Sequence, residues 1–170
     1  MSLPRTALRC LRYCLGLFAI FLIVGCASNT RALAPFGPES GYWQGRIAVK
    51  VASTPEQAFS AHFELEGSTQ VGRLELTTAL GTTVARMEWS PGGADLQASG
   101  TARAYPSMAE LTLSTMGAEL PVDALFQWLR GQAATSAGWQ PDLSQWDTGR
   151  ISAQRQSPEP RVDLKILLER

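Results

Sequence analysis

Period-two alternation of apolar and polar residues, renewed in one short stretch after another, limits the folds open to this chain more than any other feature. Ile47, Val49 and Val51 share one side of an extended segment, with Arg46, Ala48 and Lys50 on the other. Phe59, Ala61, Phe63 and Leu65 alternate with Ser60, His62, Glu64 and Glu66. Leu74 and Leu76 alternate with Arg73, Glu75 and Thr77, and then Thr83, Ala85, Met87 and Trp89 with Val84, Arg86 and Glu88. Leu96 and Ala98, residues 101–105, residues 149–155, and finally Val162, Leu164, Ile166 and Leu168 extend the series. Turn-forming residues separate the runs at 67–70, at 90–95 and at 157–160. A strand of this kind has one side for a core and one for water, and short turns make neighbours antiparallel. The expectation is a mainly β domain, a meander of adjacent strands with one apolar face.

Two helices interrupt the meander. Ser107-Met108-Ala109-Glu110 has the spacing of a capping box, with Met108, Leu111, Thr112 and Thr115 predicted to line one face and Gly117 to stop the helix. Pro121 suits the first turn of the second helix. There Val122, Leu125, Phe126 and Leu129 fall at i, i+3, i+4 and i+7, the buried-face spacing. Arg130 is placed in its last turn and Gly131 at its end. The stretch carrying Trp139 and Trp146 reads as one strand at most.

The first 25 residues have a different logic. Arg5, Arg9 and Arg12 precede an almost wholly apolar run from Tyr13 to Gly25, and Ile23-Val24-Gly25-Cys26 closes it as a lipobox would. A basic start, an apolar centre of about a dozen residues and small residues before a cut describe a secretory signal, and the run is short of the roughly 20 residues that span a bilayer. A cysteine directly after the cut would take a diacylglycerol. The expected organisation is a lipoprotein signal over 1–25, an acylated Cys26 with a flexible tether over 26–41, and one folded domain over 42–170. Ala27, rather than an acidic residue, follows Cys26, which points to the outer membrane with the domain facing the periplasm.

Cleavage at that point changes the arithmetic. The precursor has 15 basic and 15 acidic residues; the three signal arginines leave and no acid leaves with them, so 12 stand against 15 and the net charge is −3. Such a balance gives neither a nucleic-acid footprint nor a strong basic dock for a protein partner. Cys10 and Cys14 leave with the signal and Cys26 is spent on lipid, so no thiol remains for a disulfide, a metal or catalysis.

The residues offer little chemistry. His62 is the only histidine, and it shares the polar side of its strand with Ser60, Glu64 and Glu66; it reads as a solvent-facing residue. One histidine without free cysteine does not make a zinc site. Glu64 and Glu66 read as a solvated face rather than a catalytic pair. Gly92-Gly93 is a turn, since no helical pattern follows it. The chain is read as no enzyme, with neither cofactor nor metal. Its surplus is apolar: five tryptophans and six phenylalanines, of which only Phe18 and Phe21 lie in the signal. Bulky residues on a sheet under helices either pack solid or leave a cavity, and periodicity does not separate the two. Leu80, beside Gly81 in the turn 78–82, either folds back onto the core or makes an apolar contact with lipid or a partner.

Several segments together resemble the family of the outer-membrane lipoprotein receptor LolB. Gly45-Arg46-Ile47-Ala48-Val49 is similar to its opening strand. Phe63, Gly72-Arg73-Leu74-Glu75-Leu76 and Leu80-Gly81-Thr82-Thr83 are similar to its next strands and their protruding loop. Trp89 to Gly93 fits the turn that follows. Glu119-Leu120-Pro121-Val122 through Leu125, Trp128, Leu129 and Gly131 resembles the family's Pro-led helix. The segment between Gly131 and Gly149 is shorter than the family pattern, so a strand or hairpin is expected to be missing there.

The resemblance implies an unclosed antiparallel β-barrel, a half-barrel, whose short helices cover the concave apolar face. It implies a monomer that accepts acylated lipoproteins from the periplasmic carrier LolA and inserts them into the inner leaflet of the outer membrane, without nucleotide or metal. Leu80 and Gly81 then become the membrane- or acyl-contacting loop. Phe63, Met87, Trp89, Phe126 and Trp128 become the candidate lining of an acyl cavity. The competing reading is an anchored structural or assembly lipoprotein that binds a protein through its sheet and has no lipid cavity.

Overall fold

The computed structural model describes residues 40–169. The chain divides into two units, Met1–Pro35 and Phe36–Arg170, and the described residues belong to the second. The expected signal, Cys26 and most of the expected tether lie outside them.

The elements follow in chain order as β1 (Gly41–Val51), β2 (Gln57–Gly67), β3 (Gly72–Thr77), β4 (Thr83–Ser90), β5 (Gly93–Ala98), β6 (Thr101–Tyr105), α1 (Met108–Met116), α2 (Val122–Leu129), β7 (Trp139–Asp142), a 3-10 turn (Trp146–Thr148), β8 (Arg150–Arg155) and β9 (Val162–Leu168). Among the described residues nine strands make one sheet, in the order β6-β5-β4-β3-β2-β1-β9-β8-β7. Every pairing is antiparallel. The outermost strands β6 and β7 do not pair with each other, so the sheet stays open: a half-barrel.

The alternating residues go where their period sends them. Ile47, Val49, Val51, Phe63, Leu65, Leu76, Met87, Trp89, Ile151, Leu164 and Ile166 are all buried on one face, and α1 and α2 add Leu111, Ala124, Phe126, Trp128 and Leu129 to the same core. α1 begins where the Ser107 Oγ accepts the Glu110 amide at 3.2 Å, one half of the expected box, and Gly117 ends it in the left-handed conformation at φ 70°.

Four expectations need correction. Gly41 opens β1, opposite Gly67, rather than closing the tether. Only Pro91 and Gly92 turn the chain between β4 and β5, because two residues suffice for a hairpin and pairing claims Gly93, Ala94 and Asp95. Thr115 is exposed, its hydroxyl donating back to the Leu111 carbonyl at 2.8 Å. Arg130 caps α2 rather than lying in its last turn. The short 132–148 segment does supply a strand, the four-residue edge β7, and buries Trp139.

Candidate functional site

Phe126 sits at the centre of the candidate site. It lies on the buried side of α2 with no exposed surface. Its ring meets Trp43 of β1 edge-on, centroids 5.4 Å apart at 81°, and Trp89 of β4 at 6.2 Å and 70°. Such edge-to-face contacts add to simple burial. Trp89 is itself pinned, because its Nε1 donates to the Ser68 carbonyl at 3.1 Å. Gly72 makes room for it: a Cβ there would stand 2.3 Å from the Trp89 ring. The Arg130 guanidinium lies over the other side of this cluster, 5.6 Å from the Trp43 ring and 5.9 Å from Phe126.

Beside Phe126 a cavity of about 30 Å³ separates the sheet from the helices, and its surface is wholly apolar. The sheet contributes Ile47, Phe59, Leu65, Leu74, Leu76, Met87 and Trp89; the helices contribute Met108, Thr112, Met116, Val122, Leu125 and Phe126, with Leu120 from the connection between them. Thr112 is the one polar residue in this lining, and its hydroxyl is engaged elsewhere, donating to the Ala109 carbonyl and accepting the Leu120 amide, both at 3.1 Å.

The five candidate lining residues divide. Met87, Trp89 and Phe126 meet at this cavity. Phe63 is buried in β2 but does not line it, and Trp128 faces the other half of the core. There Trp128 donates its Nε1 to the Ala134 carbonyl at 2.8 Å and packs against Trp139, ring centroids 6.1 Å apart. The reason is helical geometry. Two residues along a helix turn a side chain through about 200°, so Phe126 and Trp128 address different parts of the sheet. The residues that sequence reasoning did not assign to the lining are chiefly Met108, Thr112, Met116 and Leu120. A signal was present: Met108, Thr112 and Met116 recur every four residues and so share one face of α1.

The second part of the site is the loop between β3 and β4. Leu80 stands at its tip, 94% exposed. The loop that holds it is fully braced. The Thr78 amide donates to the Thr82 carbonyl and the Gly81 amide to the Thr78 carbonyl, each at 2.9 Å. The Thr78 hydroxyl accepts the Leu80 and Thr82 amides at 3.3 and 3.2 Å. Gly81 takes φ 81° with no atom near a would-be Cβ, so its glycine serves the turn and not a close approach. Below the loop, Glu75 accepts from the Thr83 hydroxyl at 2.7 Å and from Arg86 at 2.9 and 3.2 Å. These bonds hold the Glu75 carboxyl below its ordinary value, the Thr83 hydroxyl foremost, and they outweigh partial burial, which pushes the other way. A large apolar side chain is thus presented to the surroundings on a fixed support.

Among the described residues, no helix is long and apolar enough to cross a membrane, and no group of three His, Cys, Asp or Glu is placed to hold a metal ion.

Comparison with known proteins identifies relatives of the chain. The sequence profile described as outer membrane lipoprotein LolB matches residues 42–164. The chain belongs to the LolB family. Its relatives include the outer-membrane lipoprotein LolB of Bordetella petrii, 31% identical over 85% of each chain. The LolB of Bordetella pertussis is 27% identical over 97% of this chain and 96% of its own. That of Shewanella loihica is 32% identical over 68% of this chain and 56% of its own. The LolB match runs from the second residue of β1 to the middle of β9. It therefore takes in the apolar cavity, the Leu80 loop and the short edge strand β7.

Proposed function

We propose that this LolB-family chain is the outer-membrane acceptor of acylated lipoproteins, taking them from the periplasmic carrier LolA and inserting them into the inner leaflet of the outer membrane. Family membership supports lipoprotein transport at that membrane. In this reading residues 1–25 are a lipoprotein signal, Cys26 carries the lipid anchor, the tether ends before Gly41, and 41–170 act as a monomeric domain. The observation that carries the reading is the wholly apolar cavity between α1, α2 and the sheet.

The physics of the cargo explains the design. Each buried methylene is worth about 0.8 kcal/mol, so one long acyl chain released into water costs on the order of 10 kcal/mol. Such a ligand passes from one apolar shelter to the next, and contacts that hold it must be non-directional so that it can leave again. A cavity of about 30 Å³ is an order of magnitude below the roughly 300 Å³ at which small-molecule sites begin. Receipt of a chain therefore requires the roof to lift. α1 is suited to that. It is nine residues long, it ends at Gly117, and Met108 and Met116 at its two ends are flexible side chains that repack around guests of varied shape. Met87, Trp89 and Phe126 then form the floor and wall against which the chain lies. Leu80 acts at delivery, entering the bilayer so that cargo leaves the cavity next to acyl chains. No covalent step is involved.

The test uses the chain from Cys26 onward with Cys26→Ser, so that no anchor contributes. The core residues run from Ile47 to Ile166, so this form keeps the core whole. Carrier loaded with a labelled lipoprotein is mixed with it. Movement of label without an energy source is the expected result. No movement to a folded domain would sink the proposal in favour of the assembly-lipoprotein alternative.

A further inference from the structure

A formal net charge of zero hides a local concentration of positive charge. The pairing register sets His62, Arg46, Leu167 and Arg150 in one row across β2, β1, β9 and β8, and Ser60, Ala48, Lys165 and Ser152 in the next. These positions alternate with the buried Ile47, Ile151 and Ile166, so they look outward from the convex face. A groove of about 610 Å³ runs there, with Arg46, Arg150 and Lys165 along it and Asp142 as its only carboxylate. Neighbouring cations are neutralised, Lys50 by Glu56 at 3.0 Å and Arg161 by Asp163 at 3.3 Å. Arg46, Arg150 and Lys165 have no ion-pair partner among the described residues. This corrects the expectation, drawn from net charge, that the chain has no basic dock.

The position of the groove narrows its partner. The row through Arg46 continues to Thr77, the last residue before the Leu80 loop, which pairs with His62. At about 4.8 Å per strand, Arg46 lies roughly 10 Å across the sheet from the base of that loop, and Arg150 roughly 20 Å. Leu167, 41% exposed, sits between the two arginines. Cations interleaved with an exposed leucine, level with the base of the loop that carries Leu80, match a bilayer surface, where phosphates lie over acyl chains. An acidic protein would satisfy the cations but gives the leucines no reason to be exposed.

We infer that the Leu80 loop and the Arg46–Arg150–Lys165 groove form one membrane-docking surface, the groove taking the headgroups of anionic phospholipids. The inference rests on Leu80 as a bilayer-contacting tip, and it orients the domain on the leaflet that receives the cargo.

Flotation of the Cys26→Ser chain with vesicles tests it, using phosphatidylcholine alone and phosphatidylcholine with phosphatidylglycerol. The wild type should prefer the anionic vesicles at low salt and lose that preference at high salt. Replacing Arg46, Arg150 and Lys165 by Gln together should cut binding to anionic vesicles on the order of 100-fold, about fivefold per charge, and leave phosphatidylcholine binding as it was. All three side chains are exposed, and circular dichroism checks the fold. Equal wild-type binding to both vesicles, or undiminished binding by the triple variant, would overturn the inference. Receipt of labelled lipoprotein from the carrier, measured without vesicles, separates this from the acceptor reading. A triple variant that receives cargo normally supports docking, whereas one that binds vesicles but fails to receive cargo overturns it and assigns the groove to the carrier.

Discussion

The Thr112 hydroxyl accepts the Leu120 amide at 3.1 Å, and this single bond ties the middle of α1 to the segment that leads into α2. Thr112 is 1% exposed and borders the cavity. Its Oγ1 also donates to the Ala109 carbonyl, so one buried hydroxyl satisfies two backbone groups of the roof. Thr112→Val keeps the shape and removes the acceptor. The expected cost is about 1–3 kcal/mol, the penalty for an amide left without its partner, measured by urea denaturation. The roof should also loosen, so uptake of a fluorescent fatty acid should quicken. Unchanged stability and uptake would show that the bond holds nothing.

Leu80→Glu should behave in the opposite way. With 94% of Leu80 exposed, the change should leave stability within about 0.5 kcal/mol. Acyl receipt should persist while insertion into bilayers slows, because a carboxylate resists entering the apolar phase. Stopped-flow transfer to labelled vesicles reads the rate. Wild-type insertion would remove the loop from the delivery step.

Gly72 tests how tightly the cavity wall is set. A Cβ at this position would meet the Trp89 ring at 2.3 Å and the Glu66 carbonyl at 2.8 Å, and Trp89 cannot retreat without breaking its bond to Ser68. Gly72→Ala should cost about 1–3 kcal/mol by overpacking and alter tryptophan fluorescence. Gly92→Ala is the control: its nearest neighbour would be 3.8 Å away, and thermal melts should hardly change.

The brace beneath the Leu80 loop is pH-sensitive with a defined sign. The folded Glu75 carboxyl titrates below its ordinary value of 4.5, through the Thr83 hydroxyl first and then Arg86. Its contribution is therefore complete above that value and lost as pH falls through the lower folded one. The stability advantage of wild type over Glu75→Gln, at most about 1 kcal/mol for so exposed a pair, should be constant near neutrality and fade below pH 4.5. Denaturation curves at a series of pH values check this. An advantage that grows on acidification would contradict the assigned direction.

Most strands were legible because alternation is a local signal. Which of Ile47 and Ala48 faces the core follows from their neighbours alone, and the same holds for Leu164 and Lys165. The helices were legible through Pro121, Ser107 and the apolar spacing of α2. The failures share one cause. Gly93 and Asp95 look like turn residues, yet pairing with β4 takes them. Thr115 fits a helix face, yet only Leu111 and Thr112 of α1 are fully buried. Local pattern says which side of an element is apolar but not how much of it a neighbour covers.

The candidate site shows the same division. The sequence by itself determined that this chain makes an antiparallel sheet with an apolar face, that two short helices have a face to match, and that Leu80 falls in a turn, because each of these depends on residues only a few positions apart. Only the tertiary structure decided that Phe126 joins Trp43 and Trp89 while Trp128 joins Trp139, that Leu80 projects instead of folding back, and that Arg46, Arg150 and Lys165 gather from three strands into one groove. Those contacts join residues as much as 119 positions apart in sequence. Their distances are set by strand order and register, which exist only once the sheet has closed its hydrogen bonds.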